Sequence, residues 1–87
     1  MSSYKVSVGN TTVQAKNLRD ARSVVAEAIT SLLARDPVAG ARGAVTVDSA
    51  FDSGAVEHSL TAHGRWSMTL VVGSELLLLA IVKKRWW

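Results

Sequence analysis

Apolar and polar positions alternate from residue 4 onward. Tyr4, Val6 and Val8 are interleaved with Lys5 and Ser7, and the alternation resumes after Gly9-Asn10 with Thr11, Val13 and Ala15. A period of two predicts strands, and a two-residue Gly-Asn connection suits the primed turns whose twist matches that of a hairpin. Pairing Val8 with Thr11 sets Val6 opposite Val13 and Tyr4 opposite Ala15 on one face. Lys5, Ser7, Thr12 and Gln14 then fall on the other, so one face is core and one is wet. Over residues 18–35 the period changes. Leu18, Ala21, Val24, Val25, Ala28, Ile29, Leu32 and Leu33 recur at helical spacing, while Arg19, Arg22, Ser23, Glu27 and Thr30 occupy the opposite side. Asn17 is a suitable N-cap with Asp20 three residues on, and Asp36-Pro37 ends the run because a residue before proline is pushed out of the helical region.

Beyond the proline, residues 38–43 read as a small-residue connection containing Gly40 and Gly43, and residues 44–47 (Ala-Val-Thr-Val) as a third strand. Val56, His58, Leu60 and Ala62 alternate with Glu57, Ser59, Thr61 and His63, which predicts a further strand; a short helix over residues 53–62, closed by Gly64, competes with it. A final hairpin turns at Gly73-Ser74. Pairing Val72 with Glu75 places Trp66, Met68, Leu70, Leu77, Leu79 and Ile81 on one face, and Ser67, Thr69, Val71, Leu76, Leu78, Ala80 and Val82 on the other. The expected fold is α+β: an N-terminal hairpin, one amphipathic helix, then about three antiparallel strands in one sheet with the helix on one face. This element order is similar in outline to that of β-grasp domains, a likeness of order alone that transfers no residue and no function.

Both faces of the last hairpin are apolar, and one helix covers only one of them. Val71, Leu76, Leu78, Ala80 and Val82 would form an uncovered apolar patch, the mark of an interaction surface, and a self-complementary patch closes most economically in a two-fold dimer.

Length and composition narrow the picture. The chain of 87 residues, 48% apolar and 20% charged, suits a single globular domain spanning residues 1–87. It has no cysteine, so disulfides and thiolate metal sites are excluded and a reducing cytoplasm is the expected compartment. Abundant Ala, Val, Arg, Gly and Asp suggest a GC-rich bacterial or phage coding sequence. The most apolar stretch, residues 68–82, is broken by Gly73, Ser74 and Glu75 and falls short of a membrane span.

The net charge of +3 equals the three basic residues of Lys83-Lys84-Arg85-Trp86-Trp87, read here as a basic-aromatic C-terminal tail. Against nucleic acid, the cations would neutralise phosphates while the indoles stack on bases. Against an anionic membrane they would sit at headgroup level. In the structural reading the tryptophans pack on the sheet and the charges guard its edge. Lys16, Arg19 and Arg22, at the start of the helix, are further candidate contacts for an anionic partner.

No cluster has catalytic or metal-binding spacing. Asp52, Ser53, His58, Ser59 and His63 hold the residue types of a hydrolase triad, but triads are defined by geometry, not by nearness in sequence. His58 and His63 would point to opposite faces of a strand without a third ligand, and His58 is expected half-buried in the sheet beside Val56 and Leu60. Gly40-Ala41-Arg42-Gly43 lacks the ending of a nucleotide loop. The expectation is therefore a small non-enzymatic, self-associating protein without cofactor that contacts a macromolecular partner, a protein first. The alternative is a nucleic-acid-binding module using the tail and the basic helix start.

Overall fold

The computed structural model describes residues 2–85, in the order β1 (Ser2–Val8), β2 (Thr11–Ala15), α1 (Leu18–Arg35), α2 (Pro37–Asp52), α3 (Ala55–His63), β3 (Arg65–Val72) and β4 (Glu75–Arg85). The fold is α+β, with four antiparallel strands in one open sheet ordered β2-β1-β4-β3 and three helices between the two hairpins. Both hairpins have the expected registers. Val8 faces Thr11 and Val6 faces Val13; Val72 faces Glu75 and Trp66 faces Ile81. Gly9 and Gly73 take positive φ, 59° and 63°, which the turns require and which glycine adopts without a Cβ penalty. β1 and β4 then join the hairpins through a ladder from Ser2 opposite Arg85 to Val8 opposite Leu79.

α1 begins and ends where its caps predict. The Asn17 side chain accepts from the Asp20 N–H at 2.9 Å, and Asp36 N–H donates to the Leu32 carbonyl at 2.7 Å. Asp36 also starts the next helix, accepting from the Ala39 N–H at 3.1 Å, with Pro37 in the first turn. The proline that stops one helix thus opens another, because its missing N–H and fixed φ cost nothing at a helix start.

The middle of the chain departs from the sequence expectation. Residues 44–47 are not a third strand but lie in α2, and residues 56–63 are not a strand but lie in α3; four strands and three helices replace the single-helix arrangement. In α2 the longer helical period of Ala39, Gly40, Gly43 and Val47, all buried, overrides the brief alternation of residues 44–47 and leaves Val45 at the surface. In α3, Val56 and Leu60 are buried one turn apart. Gly64, at φ 73°, caps the helix by donating to the Leu60 carbonyl at 3.0 Å. His58 accordingly sits exposed on a helix and not half-buried in a sheet.

Gly40 and Gly43, which look like loop residues in the sequence, are packing residues. A Cβ on Gly40 would stand 2.6 Å from the Leu33 Cα, and one on Gly43 would stand 2.8 Å from Ile29 Cδ1 and 2.9 Å from Leu70 Cδ1. These contacts let α2 lie closely on α1 and reach β3. The helical layer covers one sheet face, enclosing Val6, Leu79 and Ile81 with Val25, Leu32 and Val56, all fully buried.

Gly40→Ala sets about 1 kcal/mol of helix propensity gained against about 1–3 kcal/mol of overpacking on a neighbouring backbone. Backbone cannot swing aside, so a net loss in urea unfolding is expected. Gly43→Ala meets flexible side-chain ends and should cost less; the reverse order would contradict this packing.

Candidate interaction surface

Alternation along the strands sends every second residue away from the helices. On β4 these are Leu76, Leu78, Ala80 and Val82, and on β3 Val71, which lies opposite Leu76. Val71 is 65% exposed, Leu76 72%, Leu78 49% and Val82 38%, whereas Leu79 and Ile81 between them are fully buried. Among the described residues nothing covers this face. The apolar stripe runs about 20 Å along β4 at a strand's usual rise. Small hydroxyl residues flank it: Ala80 lies between Ser7 on β1 and Ser67 on β3, and Leu78 lies opposite Thr69.

One end of the face is basic. Val82 lies between Lys5 and Arg65, and Lys84 lies opposite Ser3 one step further along. Among the described residues no acidic side chain falls on this face. The strands carry Lys5, Arg65, Lys83, Lys84 and Arg85 against Glu75 alone. The helices and their connections are near balance, with Lys16, Arg19, Arg22, Arg35 and Arg42 against Asp20, Glu27, Asp36, Asp48, Asp52 and Glu57.

The other site candidates are dispersed. Residues 83–85, part of the expected tail, continue β4, with Lys83 opposite Tyr4 and its N–H donating to the Gly64 carbonyl at 2.8 Å. Trp86 and Trp87 lie outside the described residues. Lys16 and Arg19 are exposed beside the start of α1. Arg22 instead faces α2: Nη1 donates to Asp52 at 3.0 Å, Nη2 to Asp48 at 3.4 Å, and the guanidinium stacks 5.1 Å from the Phe51 ring centre. The Asp52 hydrogen bond, the largest cause, acts with the charge of Asp52 and the hydrogen bond and charge of Asp48 to outweigh desolvation and hold its pKa above the ordinary arginine value. Phe51 in turn packs against Trp66 at 6.0 Å between ring centres. Arg22 therefore acts as a clasp between α1 and α2.

The polar residues around α3 are used locally. The Ser59 hydroxyl donates to the Arg65 carbonyl at 2.6 Å, and Ser53 Oγ to the Ala50 carbonyl at 3.4 Å. Asp52 serves Arg22. Ser59, His63, Arg65, Trp66 and Ser67 line an open hollow of about 670 Å³ beside β3. Among the described residues no group of three or more His, Asp or Glu is placed to hold a metal ion, and no helix is long and apolar enough to cross a membrane.

The two faces of β4 predict opposite responses at adjacent positions. Leu79→Ala should cost about 2–5 kcal/mol by leaving a cavity, and Leu78→Ala should stay within about 0.5 kcal/mol in dilute solution. Chemical denaturation measures both, and equal losses would contradict the face assignment. Comparison with known proteins adds no identity, since no protein-family model, curated protein or solved structure matches the chain.

Proposed function

We propose that this chain is a small non-enzymatic protein of the cytoplasm that self-associates and binds a macromolecular partner, a protein, through the open face of its sheet. The observation that carries this reading is the stripe of exposed Val71, Leu76, Leu78 and Val82, with half-buried Ala80 among them, opposite the helical layer of a four-stranded sheet that has only one side covered. Water is a poor neighbour for such a stripe, and a second apolar surface removes it from water.

Geometry and charge favour a second copy as one occupant. Four strands about 4.8 Å apart and about 24 Å long offer about 500 Å² per copy, so two copies bury about 1,000 Å². That is near the lower limit for a specific interface, which makes the expected dimer weak and concentration-dependent. The basic end carrying Lys5, Arg65 and Lys84 sets the orientation. Packing with the strands of the two copies antiparallel places each basic end over the partner's apolar end and keeps like charges apart. Sedimentation over a concentration series tests this reading. Leu78→Glu should weaken association at least about tenfold, the equivalent of about 1.4 kcal/mol, and an unchanged size distribution would sink the sheet-face reading.

The basic end of the open face also favours a second reading, binding of single-stranded nucleic acid along the sheet with Lys84, Arg65 and Lys5 contacting phosphates. Arg22, expected from the sequence to contribute, is already paired with two carboxylates. Under this reading Lys5→Glu with Lys84→Glu weakens binding to a labelled oligonucleotide and flattens its salt dependence. Salt-independent or unaltered binding eliminates it.

A further inference from the structure

The open face is not the only unsatisfied surface of the sheet, because β3 is an edge strand. Its two-residue turn makes Val72 and Glu75 a hydrogen-bonded pair, so by alternation Leu70, Met68 and Trp66 also bond to β4. The backbone N–H and C=O groups of Ser67, Thr69 and Val71 therefore point outward. The same parity is seen at the strand's start, where the Gly64 carbonyl accepts from β4 and the Arg65 carbonyl turns outward to the Ser59 hydroxyl. Ser59 thus closes the edge at Arg65, and the open ladder begins at Ser67.

Natural edges are guarded by lysine, proline, bulges or inward charges. Residues 66–72 contain no charged residue and no proline, and their register with β4 is unbroken. We infer that β3 pairs antiparallel with β3 of a second copy about a two-fold axis at Thr69, so that Ser67 lies opposite the partner's Val71. This interface goes beyond the sheet-face reading and does not depend on it. The register uses every open group from Ser67 to Val71, forms about six backbone hydrogen bonds, and leaves the capped Arg65 carbonyl outside the ladder.

The same register keeps like charges apart. Arg65 comes opposite the partner's uncharged Gly73. The two copies of Arg65 are on the order of 27 Å apart, well beyond a Debye length at physiological salt. The four-stranded sheet becomes a continuous sheet of twice that width, with both helical layers on one side and both apolar stripes on the other.

Because the chain has no native cysteine, single cysteines report the register directly. Thr69→Cys places two thiols on opposed residues about 5.5 Å apart at Cα, within disulfide range. Ser67→Cys or Val71→Cys alone leaves them about 14 Å apart. Mild oxidation should link the Thr69→Cys chains at least about tenfold faster than either control, and a mixture of the Ser67→Cys and Val71→Cys chains should link to each other. Slow, equal linking at all three sites overturns the proposal. A second measurement needs no variant: the amides of Ser67, Thr69 and Val71 should gain protection from hydrogen exchange as concentration rises, and free exchange at every concentration overturns it too. Rapid linking of Thr69→Cys in the Leu78→Glu background identifies the edge as separate from the face. Its loss there, with dimerisation of the parent chain intact, rejects the edge and leaves the face reading standing.

Discussion

The pairing of β1 with β4 is the constraint on which the rest of this fold depends. Each hairpin alone is a marginal structure in water, and the ladder from Ser2 opposite Arg85 to Val8 opposite Leu79 makes them one sheet. It also puts β2 and β3 on opposite edges, so the segment joining them must cross the sheet. All three helices lie in that crossing segment, and together they cover one face. The bareness of the other face follows from topology as much as from composition.

Covering the sheet from one side requires the helices to lie close together. The absent side chains of Gly40 and Gly43 let α2 settle against Leu33 and Ile29 while still touching Leu70. At the layer's surface Arg22 ties α1 to Asp48 and Asp52 and stacks on Phe51, which meets Trp66 of β3. Exposed ion pairs contribute little each. Their value here is in holding one arrangement of two helices, while buried Val25, Leu32, Val56, Leu79 and Ile81 supply most of the stabilisation.

The open face and the β3 edge are both unsatisfied among the described residues, and they differ in kind. The open face lacks a cover for apolar side chains, a non-directional demand that several partners can meet. The β3 edge lacks partners for backbone groups, a directional demand that only an extended strand in register meets. The cationic excess of the strands adds orientation to the face, with Lys5, Arg65 and Lys84 at one end.

Local patterns were enough to read both hairpins with their registers, the caps of α1, and the five residues of the apolar stripe, because strand alternation and turn chemistry act between near neighbours. The sequence by itself therefore determined which residues share a face. It misled at residues 44–47, where a short β-like alternation hid a helix, and it left α3 ambiguous, because nine residues with two buried positions fit either period. Only the tertiary structure decided that Gly40 and Gly43 are contacts, that Arg22 is a clasp and not a free cation, that residues 83–85 are strand, and that β3 is an edge. Each of these depends on a partner distant in the chain, and no local pattern records where that partner will lie.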